Sequence, residues 1–499
     1  MTSSDPDAAT AELAYASLDS LTTAMGEGML SSADLTRALR SRIAAVDAPS
    51  SETGLRAVLA LADDAVSVAE ERDRERAEGR VRGPLHGVPV LVKDNIEAIG
   101  LPGTAGSQAL VGRTLTTDAP LVARLRDAGA VILGSTNLSE WANFRSPHSV
   151  SGWSGVGGLT GNPWALDRSA GGSSSGSGAA VAAGLAPAAI GTETNGSITC
   201  PAALNGVVGL KPTVGTVSAQ QVVPISASQD VPGPLARSVT DAALVYEVLS
   251  ARIDCRAACT PEAAASLRVG VPEQWLSGHA ATDALFASAV DALTGLVAGI
   301  QAVALPPNDF QVHDDQVTVL VHEMGDDLDA YLAARPGSGV RSLAEAVAFN
   351  REHMEIELAH FGQEYLEAAL ASGGRDTDAY RQARERNVAF ARDACLGPAF
   401  GSGVDVLVSP AYQPAWKSDL VHGDQVAGGG ANCTPPAILG WPILTVPMGT
   451  VDGLPVGFSL VGQAGSEALL IAVGHALEQA LGLAGTPALI PAWRAPMRG

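Results

Sequence analysis

The chain has 499 residues, of which 46% are hydrophobic and 17% charged, so it can bury a large core and is not a disordered protein. Its formal net charge of -22 disfavours a nucleic-acid partner, because an acidic surface repels a phosphate backbone. It has neither a signal-peptide pattern nor a long apolar run, so we expect no membrane partner and a cytoplasmic location.

The N-terminal part of the chain, residues 10–80, has the pattern of helices. Two serines precede a run in which apolar residues recur at Leu35, Leu39 and Ile43, a spacing typical of one buried helix face. A second, polar-rich helix is predicted to end near Gly79. We therefore expect an N-terminal helical segment.

Short apolar runs then alternate with turns and alanine-rich stretches. The runs at residues 88–92, 130–133 and 207–210 have the length of buried strands, and residues 179–184 have the composition of a helix. Gly and Pro separate these segments and mark the turns between them. The alternation indicates an α/β fold.

The region 252–400 differs from the chain around it. It is mostly helical in pattern and carries more charged and histidine side chains, after which strand-like runs return at 404–408 and 443–446. We interpret this region as a mostly helical insertion on the α/β fold.

A Gly/Ser-rich octapeptide, Gly171-Gly-Ser-Ser-Ser-Gly-Ser-Gly178, is the one low-complexity stretch of the sequence. Such a segment is commonly a flexible linker. Here it leads directly into the apolar residues 179–184, so its backbone N–H groups lie at a predicted helix N-terminus, which favours developing negative charge. The octapeptide is therefore a candidate site.

Ser197 lies on a second glycine-containing segment, Glu193-Thr-Asn-Gly-Ser197, which follows an apolar run at 188–192. Successive backbone N–H groups on such a turn can point at one oxyanion. The simpler interpretation of Ser197, and of Ser173 in the octapeptide, is that each hydroxyl caps a turn or a helix. Spacing alone does not decide between these interpretations.

Lys93 stands at the end of the predicted strand 88–92. The chain has only three lysines, Lys93, Lys211 and Lys417, and its other basic side chains except histidine are arginines. Burial would lower the pKa of the Lys93 ammonium, and the neutral amine could then accept a proton, which the more basic arginine cannot do. The alternative is a lysine whose ammonium reaches solvent from the strand end.

These segments together resemble the amidase-signature family, and the resemblance extends over roughly residues 60–480. In that family the first serine after the paired glycines and the serine that ends the Gly-Ser-Ile turn are 24 residues apart, as Ser173 and Ser197 are here. The matching motifs are Gly87-Val-Pro-Val-Leu-Val-Lys93, Gly171 to Gly178, Gly191-Thr-Glu-Thr-Asn-Gly-Ser197-Ile, Val208-Gly-Leu-Lys-Pro212 and Gly453-Leu-Pro-Val-Gly457.

The resemblance implies one α/β/α domain over residues 1–499, with a central mixed β-sheet flanked by helices and with the region 252–400 shaping the substrate channel. It also implies an amide-hydrolysing enzyme that needs no metal or organic cofactor and has a cis Gly172–Ser173 peptide bond. Ser197 would be the nucleophile, Ser173 the bridging serine and Lys93 the base. The implied oxyanion hole consists of the backbone N–H groups of Thr194, Asn195, Gly196 and Ser197.

The sequence also departs from the family pattern. Ser175 and Asn195 stand where glycine is usual or frequent, and Thr199-Cys200 replaces the Arg-Gln of many members, which disfavours the glutaminase subunit of a tRNA-dependent amidotransferase. The stretches 137–144 and 361–364 resemble bacterial peptide amidases, which remove the C-terminal carboxamide of peptides. We therefore expect a small-molecule or peptide amide as substrate, with peptide amides favoured.

A second mechanism would use the same octapeptide. Gly172-Ser-Ser-Ser-Gly176 also fits the Gly-x-Ser-x-Gly nucleophile elbow of α/β-hydrolases, with Ser174 as nucleophile and His422 or His475 as base. A strand should then precede the motif, whereas residues 163–170 contain Pro, Asp and Arg and resemble a loop.

Two patterns in the sequence are incomplete metal-binding motifs. His322-Glu323 begins like a zinc-protease helix but lacks the second histidine, and Cys255 with Cys259 lacks a second ligand pair. Two other functions are also compatible with the sequence: an acylamidase or esterase of the same family, and a non-catalytic binding or assembly protein on an amidase scaffold.

The aromatic residues Trp141, Phe144 and Trp153 fit core positions better than substrate contacts.

Overall fold

An eleven-stranded mixed β-sheet forms the centre of the computed structural model, which describes residues 13–48, 54–112, 115–251, 255–307, 310–335, 339–426, 430, 432–483, 487, 489 and 492. The strands are β1 Val58–Leu61, β2 Pro89–Lys93, β3 Val131–Thr136, β4 Ala188–Glu193, β5 Val208–Lys211, β6 Val231–Ala236, β7 Arg268–Pro272, β8 Gly299–Val303, β9 Val406–Pro410, β10 Ile443–Val451 and β11 Leu454–Val461.

The strands lie in the order β1-β3-β2-β4-β6-β5-β10-β11-β9-β7-β8. Strand β2 is parallel to β3 and β4, and β7 is parallel to β8 and β9, while the other neighbouring pairs are antiparallel. Two short hairpins, Trp153–Ser154 with Gly158–Leu159 and Gly161–Asn162 with Ala165–Ser169, lie outside this sheet. The predicted central mixed sheet is confirmed.

Helices flank the sheet. The α-helices are Leu18–Gly26, Ser32–Val46, Ala65–Ala77, Pro120–Asp127, Ser175–Ala182, Thr199–Asn205, Val239–Ser250, Ala280–Ala292, Phe310–Ala334, Leu343–Glu352, Met354–Glu357, Glu364–Ala371, Asp378–Val388, Gly397–Gly401, Thr434–Leu439 and Glu467–Leu481. A π-helical stretch covers Ala389–Leu396. Short 3₁₀ turns lie at Gln108–Leu110, Glu140–Asn143, Arg256–Ala258, Glu273–Trp275 and Gly374–Asp376. None of the helices in these described ranges is long and apolar enough to cross a membrane.

Local chemistry explains why the predicted segments fold as they do. The side chain of Ser31 accepts a hydrogen bond from the Asp34 N–H and caps helix Ser32–Val46, whose buried face includes Leu35, Leu39 and Ile43. Strand β2 is buried at every position, as expected for a strand between parallel neighbours with both faces covered.

The N-terminal segment and the region 252–400 are not purely helical. Strand β1 pairs with β3 at the edge of the sheet, and β7 and β8 form the opposite edge. These strands are only four or five residues long, and so short a pattern is easily overlooked among helices. The first part of the region 252–400 therefore contributes strands β7 and β8 to the central sheet.

The later part of that region forms a helical lobe, which we define as residues 310–401. Three of its helices, Phe310–Ala334, Leu343–Glu352 and Glu364–Ala371, share a hydrophobic cluster around buried Met324, Leu328 and Leu366. Trp141 and Phe144 belong to the same cluster, so the lobe packs against the loop that follows strand β3.

Candidate active site

Two neighbouring parallel strands place the predicted site. Strands β2 and β4 are paired and parallel, with Val90 opposite Ala188 and Val92 opposite Ile190. Their carboxyl ends therefore lie side by side at the same end of the sheet. Lys93 ends β2, and the turn containing Ser197 follows β4. Ligand sites of α/β sheets commonly lie at the carboxyl ends of the strands.

Lys93 is fully buried and points at the octapeptide. Its Nζ atom donates to Ser173 Oγ at 2.7 Å and to Thr192 Oγ1 at 2.8 Å. Burial lowers the pKa of Lys93 to about 7, although the carboxylates of Asp230 and Glu193 act in the opposite direction. A substantial fraction of neutral amine is therefore present near pH 7.

The octapeptide has a conformation that requires its glycines. The Gly172–Ser173 peptide bond is cis, as the resemblance implies. A Cβ atom at Gly172 would collide with Ser139 Oγ, and one at Gly176 would meet the backbone of Ala57 and Asn137. Ser173 itself is buried, and helix Ser175–Ala182 begins two residues after it.

Ser174 is not placed as a nucleophile. Its side chain is buried, and its hydroxyl donates to the Thr192 carbonyl at 3.1 Å and accepts from the Thr192 N–H at 3.2 Å. His422 is largely exposed and pairs with Asp419 through its Nδ1 atom. The nucleophile-elbow hypothesis is therefore wrong: the Ser174 hydroxyl bridges to strand β4 instead of facing a cavity.

The turn at residues 194–197 is shaped by the carboxylate before it. Glu193 Oε2 accepts the backbone N–H groups of Ile198 at 2.6 Å and Thr199 at 2.9 Å. Gly196 has a φ of 85°, which favours glycine. Among the described residues, no acceptor receives the backbone N–H groups of residues 195–197.

A cavity of about 230 Å³ opens onto this turn. Ser197 lines it, and no protein group in the described chain is hydrogen-bonded to the Ser197 hydroxyl. The Ser197 and Ser173 hydroxyls are not hydrogen-bonded to each other in the described part of the chain, whereas the N–H of the adjacent Ser174 donates to the Ser197 carbonyl at 3.1 Å. Catalytic hydrogen bonds are often long in free enzymes and tighten when substrate binds.

Several cavity residues come from distant parts of the chain and carried no sequence signal. Tyr412 lies over the turn, because a Cβ atom at Gly196 would be 2.6 Å from its hydroxyl. Asp424 accepts from the Ser151 N–H and from Trp416 Nε1, each at 3.0 Å, and burial raises its pKa. These polar groups line the same cavity as Leu320 of the helical lobe.

The three aromatic residues have different surroundings. Trp141 and Trp153 are buried, and Trp153 packs edge-on against Phe361 at 5.2 Å between ring centroids. Phe144 lines the cavity and stacks on Tyr365 at 4.5 Å. The core interpretation therefore holds for both tryptophans, whereas Phe144 also faces the site.

The side-chain contacts do not support either metal-site pattern. Glu323 accepts from the Tyr380 hydroxyl at 2.8 Å, and His322 Nδ1 lies 2.8 Å from the Thr318 carbonyl on its own helix. Within the described ranges, no cluster of His, Cys, Asp and Glu side chains is arranged to hold a metal ion.

Comparison with known proteins identifies the family and the fold. The amidase family model matches residues 34–471. The structure resembles native peptide amidase from Stenotrophomonas maltophilia, with a TM-score of 0.89 and 44% identity over 95% of this chain and 98% of that one. It also resembles an amidase family protein from Bacillus anthracis, with a TM-score of 0.85 and 29% identity over 98% and 95% of the two chains.

A relative with a different role matches as well. A glutamyl-tRNA(Gln) amidotransferase subunit from Symbiobacterium thermophilum is 36% identical over 91% of this chain and 94% of its own length. The family match covers most of the chain, and the likeness to the peptide amidase covers 95% of it. The chain therefore belongs to the amidase family of amidase-signature enzymes and hydrolyses amide bonds.

Proposed function

We propose that this chain is a serine amidohydrolase in which Lys93, Ser173 and Ser197 act in sequence, and that it removes the C-terminal carboxamide of peptides. The observation that carries the mechanism is the fully buried Lys93, whose Nζ atom lies 2.7 Å from Ser173 Oγ. An amine that burial has made less basic is a suitable proton acceptor at neutral pH.

In this mechanism the neutral amine of Lys93 accepts the Ser173 proton as Ser173 takes the proton of Ser197. Ser197 Oγ attacks the amide carbonyl carbon, and the carbonyl π pair moves to oxygen. When the tetrahedral intermediate collapses, the C–N bond breaks and the nitrogen leaves as ammonia after it receives a proton through Ser173. Water then attacks the acyl-enzyme by the same path and releases the carboxylic acid.

The turn after strand β4 supports the proposed oxyanion hole. The backbone N–H groups of Thr194, Asn195, Gly196 and Ser197 belong to one tight turn held by Glu193, at the N-terminal side of helix Thr199–Asn205. Donors that are already oriented stabilise the developing oxyanion without further reorganisation, typically by about 3 to 4 kcal/mol for one donor.

The proposed substrate rests on a different kind of support. Identity to the Stenotrophomonas peptide amidase is 44%, against 36% to the Symbiobacterium amidotransferase subunit. Thr199-Cys200 also lies directly after the Ser197 turn, and Cys200 lines the cavity, so the departure from the usual Arg-Gln is at the site itself. Glutamine hydrolysis within an amidotransferase complex is the second candidate, because the Symbiobacterium relative matches over nearly its full length.

The test is ammonia release and product mass measured on peptide C-terminal amides, glutamine, an aryl acylamide and an ester. Wild type is compared with Lys93→Ala and Ser197→Ala, and Lys417→Ala is the matched control because it removes an exposed lysine. We expect peptide-amide turnover that both site variants lose and the control retains. Near wild-type turnover in Lys93→Ala would contradict the mechanism, and a preference for glutamine would contradict the substrate.

A further inference from the structure

The side chain of Asn195 connects the Ser197 turn to two other parts of the molecule. Its Nδ2 atom donates to Gln316 Oε1 at 3.0 Å and to Thr434 Oγ1 at 3.2 Å. Gln316 belongs to helix Phe310–Ala334 of the helical lobe, and Thr434 begins helix Thr434–Leu439. A glycine, frequent at position 195 in the family pattern, would make neither contact.

The contact between Asn195 and Gln316 belongs to a closed ring of hydrogen bonds and backbone links. Gln316 Nε2 donates to Gln229 Oε1 at 3.0 Å, and both glutamines are buried. The next residue after Gln229 is Asp230, whose Oδ1 atom accepts from Thr194 Oγ1 at 2.5 Å. Because Thr194 and Asn195 are adjacent in the chain, the ring fixes two consecutive residues of the turn from both sides.

Through the ring, a helix of the helical lobe is hydrogen-bonded directly to the Ser197 turn. Gln316 must accept from Asn195 and donate to Gln229, so its amide has one satisfactory orientation. Leu320, one helical turn further along the same helix, lines the cavity next to Ser197. The helix that holds the turn is therefore also a wall of the substrate cavity.

We propose that Asn195 and Gln316 are positioning residues that hold the Ser197 turn in the orientation required for oxyanion stabilisation. This inference rests on the proposed function, because it concerns the same reaction. Neither side chain exchanges a proton with substrate. Their amides keep the backbone N–H groups of residues 195–197 aimed at one point, and a turn released from the lobe would spend less time in that geometry.

The experiment is a double-mutant cycle on kcat and KM for a peptide amide, using Asn195→Ala, Gln316→Ala and the double variant. We expect each single change to lower kcat by about 10-fold or more while KM stays within about two-fold, because the turn acts in the transition state. The double variant should be no slower than the slower single one, since both changes open the same ring. Gln311→Ala, on the same helix, is the matched control and should keep wild-type kinetics.

Two further measurements separate positioning from folding. Urea unfolding reports whether a variant is merely unstable, and Asn195→Leu keeps the side-chain volume while it removes the hydrogen bonds. Multiplicative losses in the double variant, or a change confined to KM, would overturn the inference, as would an unchanged kcat in Asn195→Leu. An inactive wild type would instead overturn the proposed function.

Discussion

Replacing Lys93 by methionine tests whether this lysine is largely neutral in the folded protein at neutral pH. The substitution keeps an unbranched side chain of similar length but removes the titrating group. In the folded protein, burial lowers the pKa of Lys93 to about 7. In the unfolded chain the amine is solvated and its pKa is about 10.4.

The sign of the effect follows from proton binding. Between these two pKa values the unfolded state binds more protons at this position than the folded state, so the free energy of unfolding rises with pH. This group contributes up to about 1.4 kcal/mol per pH unit, and Lys93→Met removes the contribution. Between pH 7 and pH 9, the free energy of unfolding of wild type minus that of the variant should therefore increase by about 2 to 3 kcal/mol.

The assay is reversible urea unfolding of both proteins at pH 7, 8 and 9, in which other titrating groups largely cancel in the difference. Lys417→Met is the control, because this exposed side chain is solvated in both the folded and unfolded states. The loss of the hydrogen bonds to Ser173 and Thr192 shifts the difference by a constant amount. A difference that does not change with pH would refute the reasoning that burial makes Lys93 a neutral base.

Three further results are expected. The kcat/KM for a peptide amide should decrease as the pH is lowered, with an apparent pKa of about 7, because protonated Lys93 cannot accept a proton. A kcat/KM that does not change between about pH 5.5 and 8 would contradict this prediction. Gly196→Ala should lower kcat by at least about 10-fold, since its Cβ would lie 2.6 Å from the Tyr412 hydroxyl. Adding Tyr412→Phe to this variant should partly restore kcat in a kinetic assay. Ser174→Ala should lower the free energy of unfolding by about 1 to 3 kcal/mol through its lost bonds to Thr192 and retain turnover, whereas a nucleophilic Ser174 predicts none.

Much of the local structure could be predicted from the sequence. The apolar runs at 88–92, 130–133 and 207–210 became strands β2, β3 and β5, because buried strands need continuous apolar residues and their ends need turns. Strands β1, β7 and β8 were missed, since four or five residues carry little periodic signal. Their membership in the sheet depends on pairing with residues far away in the chain.

The sequence by itself determined the backbone shapes of the site: the octapeptide with its obligatory glycines, the glycine turn before Ser197, and a lysine at a strand end. These features are local, so a motif of a few residues can encode them. Only the tertiary structure decided that Lys93 reaches Ser173, that Tyr412 covers Gly196, and that Gln316 holds Asn195. Such contacts join residues that lie far apart in the chain, and they form only when separate strands and helices pack against one another.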